Sequence, residues 1–464
     1  MPLLKKTMFR EYDLRGREAE DELNDTSMYF IGRGFGTFLK KRNIAETVVG
    51  HDARSTSESF HASVIKGLME CGVNVVDIGT VTTPMSYWSQ YYLKIKGLVM
   101  VTASHNPAGW NGVKLGSNLS YTLLSDELAE VYNTIANEEF VDGKGIIRKE
   151  NIKDGYVNDL LSKALVSKKF KILVNTGNGT AGLFVPEILK KAGCEVVEHF
   201  TFVDPSYPNY TPNPDGTAMM QDTGKQTVVN KCDFGFAYDG DCDRLGVVDE
   251  KGNIIWPDRY IILLSRLVLQ KHKGAKIIFD VKVSEALPED IRSQGGIPIM
   301  WKTGHSYIKS KLKEEKAALA GEMSGHVFFV DDFYGFDDAI FASLKLLEYL
   351  SKQNKPLSEI IKDTPYYVST PTIQVKTTDE DKYNIVAKLT KEFKREGYRV
   401  VDISGARVYT NNGWGLVRAS SNTPTLVLRF EAKNESDLEK IKSLFKKKLD
   451  RFEAVSRDWD TSGN

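Results

Sequence analysis

Short apolar runs and amphipathic segments alternate along the first 365 residues of the chain, which is the pattern of α/β domains. From residue 46 to residue 102, β-branched runs of strand length are separated by segments whose apolar positions recur with a helical period. Ser55 or Thr56 stands where the N-cap of the first helix is expected. The sequence therefore predicts a βαβαβ unit with strands at 47–50, 74–78 and 98–102 and helices at 56–70 and 84–95.

The alternation continues through two further segments and changes after Thr364-Pro365. It predicts strands at 171–175, 233–238, 276–281 and 297–301 and helices at 257–272, 284–292, 307–314 and 337–350. Beyond the proline it predicts a strand at 368–376, a helix at 381–396, a β-rich stretch and a last helix at 435–453 with a solvated lysine face. We therefore expect three similar mixed-sheet α/β domains, 1–150, 151–252 and 253–365, followed by a smaller α+β domain, 366–464.

The stretch 8–16 is polar and aromatic, and its apolar positions show no helical period. We interpret it as an ordered leader that covers a sheet. Arg10 and Arg15 could also bind an anion there, because guanidinium groups suit phosphate.

Composition narrows the class of protein. The 464 residues include 62 Lys plus Arg and 62 Asp plus Glu, and a formal charge of zero argues against a nucleic-acid binder held by a broad basic surface. No apolar run approaches the roughly 18 residues of a membrane span, and the first ten residues do not resemble a signal peptide. The four cysteines show no zinc spacing, so we expect reduced thiols in a cytoplasmic protein.

A serine loop follows the apolar run 97–101 and reads Thr102-Ala103-Ser104-His105-Asn106-Pro107. Pro107 ends regular structure, so Ser104 is expected in a tight loop with its hydroxyl free, able to act as a nucleophile or to carry a phosphoryl group. The alternative is a turn in which Ser104 and Asn106 only satisfy backbone groups. Lys114 follows closely in sequence and is expected near Ser104.

Three aspartates at alternate positions, Asp239, Asp241 and Asp243, follow the strand 233–238. Packed into one loop they repel each other unless a cation lies between them, and carboxylate oxygens suit Mg²⁺ or Mn²⁺. An EF-hand is excluded, because its sixth position would be Arg244 instead of glycine and because strands flank the loop.

Two more loops carry polar side chains. In Gly321–His326, Glu322 and Ser324 could accept hydrogen bonds from sugar hydroxyls, and His326 could move protons near neutral pH. In 415–424, Arg418 precedes hydroxyl and amide side chains that could cradle phosphate, although a polar hairpin loop remains the alternative.

The segment Gly177–Gly182 is a literal G-x-G-x-x-G between a strand and a helix. Glu198 lies 21 residues after Gly177, where a dinucleotide-binding fold has its acidic ribose ligand. A tight turn that needs glycine is the alternative, and the proline-rich loop 203–215 fits poorly in a compact Rossmann half. A nicotinamide-dependent dehydrogenase therefore stays open as a rival function.

With these four loops the chain resembles the α-D-phosphohexomutase family, in particular its bacterial phosphomannomutase/phosphoglucomutase branch, from about Phe9 to Glu453. The resemblance implies that Ser104 is the phosphoserine and that Asp239, Asp241 and Asp243, together with the Ser104 phosphate, bind one Mg²⁺. It implies that catalysis depends on Ser104, Lys114, Arg15, Arg244 and His326. It also implies a set of substrate-binding residues around a central cleft: Tyr12, Lys282, His305, Glu322, Ser324, Arg418, Ser420, Ser421, Asn422 and Thr423.

The implied reaction interconverts hexose 6-phosphate and hexose 1-phosphate, of mannose and/or glucose, through a hexose 1,6-bisphosphate. The expected partners are small phosphosugars, with no nucleic acid and no membrane, and the expected state is a monomer or weak dimer. Met323 resembles the mannose/glucose branch, since phosphoglucosamine mutases typically have glutamine there, but a phosphoglucosamine mutase remains an alternative. A non-catalytic phosphosugar-binding protein is a further one.

Two positions depart from the family pattern. Ser421 separates Ser420 from Asn422-Thr423, which blurs which side chains contact phosphate. Cys242 stands where glycine is frequent.

Overall fold

The computed structural model describes residues 4–421 and 423–459, which divide into two compact units. Unit 1 comprises the described residues up to Pro214, Ala218–Ile254 and Gly325–Pro356. Unit 2 comprises Asp215–Thr217, Ile255–Ser324 and the described residues from Leu357 onward. Within the described part of the chain, no helix is both long enough and apolar enough to cross a membrane.

The first part of unit 1 is built on a seven-stranded mixed sheet with the order β1-β5-β4-β2-β3-β7, and β6 pairs with β5. Strands β2, β3, β4 and β7 run parallel, whereas β5 is antiparallel to both β4 and β1. The elements are β1 (Leu14–Arg17), α1 (Asp25–Lys41), β2 (Glu46–His51), α2 (Ser57–Glu70), β3 (Asn74–Thr80), α3 (Thr83–Leu93), β4 (Gly97–Val101), β5 (Trp110–Asn118), β6 (Tyr121–Thr122), α4 (Ser125–Ala136) and β7 (Ile147–Lys149).

The second sheet of unit 1 includes the order β11-β10-β8-β9, in which β10 is parallel to β8 and antiparallel to β11. The hairpin turn between β10 and β11 holds the three aspartates. The elements of this stretch are α5 (Lys153–Lys163), β8 (Lys171–Asn175), a 3₁₀ turn (Thr180–Leu183), α6 (Val185–Lys191), β9 (Glu195–His199), α7 (Thr217–Val229), β10 (Phe234–Tyr238), β11 (Leu245–Asp249) and β12 (Ile254–Ile255).

The next stretch places three parallel strands of unit 2 side by side in the order β14-β13-β15. Its last strand and helix before Pro356 belong to unit 1. The elements are α8 (Pro257–Lys271), β13 (Lys276–Asp280), α9 (Ala286–Ser293), β14 (Ile297–Trp301), α10 (His305–Glu315), β15 (Leu319–Gly321), β16 (Val327–Phe329), α11 (Ala339–Ser351) and α12 (Leu357–Lys362).

The C-terminal part of unit 2 is an antiparallel sheet of order β17-β22-β21-β20-β19, with β18 also pairing β22. Apolar side chains of α13 and α14 form its core with the strands. The elements are β17 (Val368–Ser369), β18 (Ile373–Lys376), α13 (Lys382–Arg395), β19 (Arg399–Val401), β20 (Ala406–Thr410), β21 (Gly413–Ala419), β22 (Thr425–Ala432) and α14 (Glu435–Leu449). The predicted class, α/β segments followed by an α+β segment, is confirmed.

The structure differs from the sequence prediction in three segments. The stretch 8–16 does not only cover a sheet, because Leu14–Arg17 joins it as β1, antiparallel to β5. The single strand expected at 368–376 is two strands, interrupted where Pro371 cannot donate to a ladder. The last helix ends at Leu449.

Helix α1 was not predicted from the sequence, although it is 17 residues long. Its sequence contains Gly32, Gly34 and Gly36, which lower helix propensity. A Cβ at Gly32 would collide with the backbone of Val64 in α2, so these glycines allow two helices to pack closely. Asn24 nevertheless starts the helix with a capping box, accepting from the Ser27 N–H at 3.0 Å.

Candidate active site

Ser104 lies three residues beyond β4 and is buried, with 1% of its surface exposed. Its φ of +51° places it in the left-handed region, which non-glycine residues rarely adopt and which concentrates at functional sites. Its Oγ donates to Oδ2 of Asp239 over 3.1 Å and lies 3.1 Å from Nδ1 of His105. The expectation of a free hydroxyl is therefore wrong, because the loop turns Ser104 toward a carboxylate of the next sheet.

The three aspartates occupy the turn between β10 and β11, and all three are fully buried. One carboxylate oxygen from each lies within 4.8 Å of the others. Burial, then the charges of Asp243 and Asp241, raise the pKa of Asp239 well above its usual value. Oδ1 of Asp241 is buried and has no hydrogen-bond partner among the residues that the structure describes. A divalent cation would satisfy that oxygen and offset the repulsion, so the residues fit a metal site.

Cys242 adopts a φ of +67° in the middle of the aspartate turn. That conformation favours glycine, which explains why glycine is frequent at this position in the family that the chain resembles. The Cys242 side chain is fully buried, and burial, with the nearby Asp239 charge, raises the pKa of its thiol well above the usual value. The thiol therefore stays protonated.

Lys114 projects from β5 and is 2% exposed. Its Nζ lies 3.0 Å from Oδ2 of Asp241 and 2.5 Å from Oδ2 of Asp243. Burial lowers the pKa of Lys114, but the two carboxylates outweigh it and the net shift is well above the usual value. Lys114 is therefore a cation at neutral pH that can donate a proton or a hydrogen bond.

Arg244 and His326, two other predicted site residues, also lie close to carboxylates of the aspartate turn. Nε of Arg244 lies 3.8 Å from Oδ2 of Asp239. Nε2 of His326 lies 3.2 Å from Oδ1 of Asp243, and His326 pairs with Arg244 through a β-bridge. Burial raises the pKa of Asp243, but Lys114 and His326 outweigh it and hold that pKa well below the usual value. Asp243 is therefore ionised.

Arg15 of β1 is 7% exposed and approaches the serine loop from the other side. Its guanidinium donates to Oδ1 of Asn106 at 2.6 Å and to the carbonyl oxygen of Ala103 at 3.2 Å, while its Nε donates to Asp13. Tyr12 is close enough for its phenol to contribute to the raised pKa of Arg15. Asn106 therefore orients Arg15 and does not only satisfy the turn.

A second group of predicted residues lies in unit 2, around Asp280 at the end of β13. Asp280 accepts from the N–H of Lys282 at 3.1 Å, and Nζ of Lys282 lies 3.8 Å from it. Oδ2 of Asp280 accepts from Thr303, in the loop that leads to His305 at the start of α10. Glu322 accepts from the N–H of Gly304 at 2.6 Å, so the loops carrying Lys282, His305, Glu322 and Ser324 are tied together.

The predicted phosphate cradle includes the turn between β21 and β22. Arg418 is the second-last residue of β21 and has 9% of its surface exposed. Its Nη2 lies 3.5 Å from Oγ of Ser421. Oγ of Ser420 accepts from the N–H of Thr423 at 3.3 Å. Nε of Arg418 has no hydrogen-bond partner in the described parts of the chain, 4–421 and 423–459. Asn422 lies outside the described residues.

Several residues that hold these loops were not predicted. Arg54, before α2, donates to four carbonyl oxygens of the serine loop and its continuation: those of Ser104, Asn106, Pro107 and Trp110. Thr83, in the first turn of α3, contacts Asp241. His105 belongs to the serine-loop motif, but the sequence indicates no role for it, and Asp280 lies inside the predicted strand 276–281. A carboxylate at the end of an apolar strand is the signal that points to Asp280.

The glycine loop does not support a dinucleotide site. A Cβ at Gly182 would collide with the carbonyl of Thr201, so this glycine serves a close backbone approach. Glu198, the expected ribose ligand, accepts hydrogen bonds from Lys190 and Thr201. The turn interpretation is therefore favoured.

A buried serine beside three carboxylates that fit a divalent cation, with a lysine paired to two of them, is the site of a phosphoryl-transfer enzyme. Four domain descriptions match the chain: domain I of phosphoglucomutase/phosphomannomutase at 6–142, domain II at 154–252, domain III at 256–367 and the C-terminal domain at 373–448.

Known proteins of this family are similar to the chain along nearly its full length. A phosphomannomutase/phosphoglucomutase of Pseudomonas syringae pv. tomato is 40% identical over 97% of this chain and 96% of its own length. A phosphoglucomutase of Neisseria gonorrhoeae is 37% identical over 96% of this chain and 97% of its own. The crystal structure of a phosphoglucomutase/phosphomannomutase family protein from Burkholderia thailandensis superposes with a TM-score of 0.91 at 37% identity, covering 97% of this chain and 98% of that one. The chain belongs to the phosphoglucomutase/phosphomannomutase family, and the prediction of a phosphohexomutase is confirmed.

Proposed function

We propose that this enzyme interconverts the 6-phosphates and 1-phosphates of mannose and/or glucose, using a phosphoserine at Ser104. The observation that carries the proposal is the 3.1 Å contact between Oγ of Ser104 and Asp239, beside two carboxylates that are both paired with Lys114. The names of the relatives support the substrate class.

In the first half-reaction the phosphoryl group on Ser104 passes to the free hydroxyl of a hexose monophosphate. The bond between phosphorus and Oγ of Ser104 breaks, a bond from phosphorus to the sugar oxygen forms, and the sugar hydroxyl loses its proton. Lys114, cationic because of Asp241 and Asp243, is the candidate donor of a proton to Oγ. His326 is the candidate acceptor of the sugar proton, because its ring lies beside Asp243 and imidazole can titrate near neutrality.

The product of that step is a hexose 1,6-bisphosphate, which then turns around. Its other phosphoryl group returns to Ser104 and releases the isomeric monophosphate. In both orientations one phosphate is held by Arg418, Ser420, Ser421, Asn422 and Thr423, while Lys282, His305, Glu322 and Ser324 bind the sugar. The buried Nε of Arg418 has no hydrogen-bond partner among the described residues, which supports this assignment, since a phosphate oxygen could accept from it.

Asp239, Asp241 and Asp243 are proposed to bind one Mg²⁺, with the Ser104 phosphate as a further ligand. When bound, the ion supplies charge stabilisation for the transferred phosphoryl group. Arg15 and Arg244 add positive charge near Ser104, and Arg15 also fixes the loop through Asn106.

The same proposal divides the chain into domains 1–150, 151–252, 253–365 and 366–464. The enzyme is expected to act in the cytoplasm as a monomer or weak dimer on small phosphosugars.

The test combines mass spectrometry with assays. Intact wild-type protein should carry a species heavier by about one phosphate, and it should show mutase activity in coupled assays with mannose 1-phosphate or glucose 1-phosphate. Glucosamine phosphates, run in parallel, distinguish the phosphoglucosamine alternative. Ser104→Ala should lose both the heavier species and turnover, because no oxygen remains to form the ester. Full turnover by that variant would contradict the covalent route.

A further inference from the structure

The glycine loop between β8 and α6 contacts the aspartate turn, and both lie in unit 1. Thr180 is 2% exposed. Its backbone N–H donates to the carbonyl oxygen of Gly240 over 3.1 Å, and Gly240 lies between Asp239 and Asp241. Its hydroxyl oxygen accepts from the N–H of Ala53 over 2.9 Å. One residue therefore joins the turn of the carboxylates to the segment that precedes α2.

The segment that precedes α2 in turn holds the serine loop. Arg54, next to Ala53, donates to the carbonyl oxygen of Ser104 over 2.7 Å and to that of Asn106 over 2.6 Å. Its Nε lies 3.3 Å from Oδ2 of Asp52, and both side chains are buried. The backbone around Ser104 is thus fixed to Ala53 and, through Thr180, to the backbone around Asp239.

The three backbones are also packed without side chains between them. A Cβ at Gly240 would lie 2.5 Å from the carbonyl oxygen of Ser104, and a Cβ at Gly179 would lie 3.0 Å from Cα of Gly240. Real Cβ atoms essentially never approach as closely as 2.5 Å, and 3.0 Å is tighter than most of their contacts, so Gly179 and Gly240 allow the glycine loop, the serine loop and the aspartate turn to lie in direct contact. The separation of these backbones determines how far Oγ of Ser104 lies from Asp239.

We propose that Thr180 is a positioning residue for phosphoryl transfer. It sets the spacing between the serine and the carboxylates through its two hydrogen bonds, and Gly179 keeps the same space open. This inference rests on the proposed function, because it assigns to the glycine loop the task of aligning the phosphoserine with the metal ligands. Residues that hold metal ligands in place typically change metal affinity or activity by about 10- to 100-fold when they are replaced.

The first experiment compares Thr180→Val with Thr180→Ser in the full-length protein. Valine keeps the shape but removes the acceptor for Ala53, whereas serine retains it. We expect Thr180→Val to lower kcat about tenfold or more, with KM for the sugar phosphate little changed, and to raise the Kd for Mn²⁺, measured by electron paramagnetic resonance. Thr180→Ser should restore both values to within about threefold of wild type.

A second variant keeps the test valid if Thr180→Val fails to fold. Gly179 has φ −84° and ψ 178°, a conformation that alanine accepts, so Gly179→Ala adds a methyl group without backbone strain. The methyl group would press on Gly240, and we expect the same rise in the Kd for Mn²⁺ and the same loss of kcat. Gly193→Ala adds a methyl group into open space but strains a backbone at φ +92°, so it is the control for general destabilisation, and its folded fraction should keep the wild-type Kd for Mn²⁺ and kcat.

The outcomes separate this inference from the proposed function. Wild-type protein that binds Mn²⁺, with Thr180→Val and Gly179→Ala folded and unchanged in both Kd and kcat, would overturn the inference alone. A loss of kcat that only follows the folded fraction, with an unchanged Kd for Mn²⁺, would also overturn it. Wild-type protein that binds no Mn²⁺ would contradict the proposed metal site and overturn the inference with it.

Discussion

The hydroxyl of Thr83 donates to Oδ2 of Asp241 over 2.6 Å, and the backbone N–H of Thr83 donates to the carbonyl oxygen of the same aspartate over 2.9 Å. Thr83 belongs to the first turn of α3, 158 positions before its partner. The two bonds leave Oδ1 of Asp241 as the oxygen without a hydrogen bond from the described residues. Thr83 therefore orients one carboxylate of the proposed metal site.

Removing the hydroxyl of Thr83 should weaken metal binding. We expect Thr83→Val to raise the Kd for Mn²⁺ by about tenfold, because Asp241 would lose a donor that fixes its orientation. Thr83→Ser, which keeps the hydroxyl, is the matched control and should bind as wild type does. Calorimetric titration with Mn²⁺ measures both, and equal affinities for valine and serine would show that Thr83 does not orient Asp241.

Arg54 is expected to be a large contributor to stability. Arg54→Met would remove hydrogen bonds to four carbonyl oxygens and leave the buried Asp52 without its cation. Breaking a buried pair from one side costs about 3–5 kcal/mol. Urea unfolding followed by circular dichroism measures the loss.

The control for Arg54 is Arg148→Met. The side chain of Arg148 is 43% exposed and pairs with Glu46 and Glu150 at the surface. Surface pairs contribute about 0–1 kcal/mol, so the free energy of unfolding should hardly change. Similar losses of unfolding free energy for the two variants would contradict the inference that Arg54 holds the serine loop.

Arg418 should matter for substrate binding more than for phosphorylation of the enzyme. Arg418→Met removes a cation whose hydrogen bonds to a phosphate are worth about 1.5–3 kcal/mol, so KM for the hexose phosphate should rise roughly ten- to a hundredfold. The phosphoserine species should persist in intact mass spectra. Arg399→Met, at an exposed position of β19 in the same sheet, is the control, and a normal KM for Arg418→Met would reject the cradle.

The pH dependence of stability should report on Asp338. Burial raises the pKa of Asp338 to about 7, despite hydrogen bonds from Phe341 and Tyr156. Between about pH 4 and pH 7 the folded protein keeps a proton that the unfolded chain has lost. This contribution to stability is therefore complete below about pH 4 and is lost as the pH rises through about 7.

Asp338→Asn removes that proton equilibrium while keeping an oxygen for the cap of α11. The free energy of unfolding of the variant should fall less than that of wild type between pH 5 and pH 8, by up to about 2–3 kcal/mol. Urea titrations at several pH values measure the difference. Asp154→Asn, at an exposed position of α5, should follow the wild-type curve, and parallel curves for Asp338→Asn would refute the assignment.

Much of the site was predictable because its reactive residues follow strands in short, unusual loops. Ser104 and the three aspartates could be found in this way, and the structure joins them although 135 positions separate Ser104 from Asp239. Two rival sites could also be judged from the sequence. An EF-hand needs glycine at its sixth position, and a dinucleotide-binding fold needs an acidic residue that binds the ribose.

The supporting residues could not be predicted, because nothing local distinguishes them. Arg54, Thr83 and Thr180 act through atoms of residues far along the chain, and each looks like an ordinary turn or cap residue in sequence. Helix α1 was missed for a related reason, since its glycines are explained only by the close approach of α2 to Gly32 and Gly36 and of α4 to Gly34. Tertiary packing, not local preference, decides these positions.

The left-handed backbone at Ser104 has a consequence for how this enzyme can evolve. The peptide geometry there suits glycine, which would relieve strain of roughly 1–2 kcal/mol, but glycine has no oxygen to esterify. Selection for stability would therefore favour glycine at position 104, whereas selection for the proposed phosphoserine chemistry favours serine.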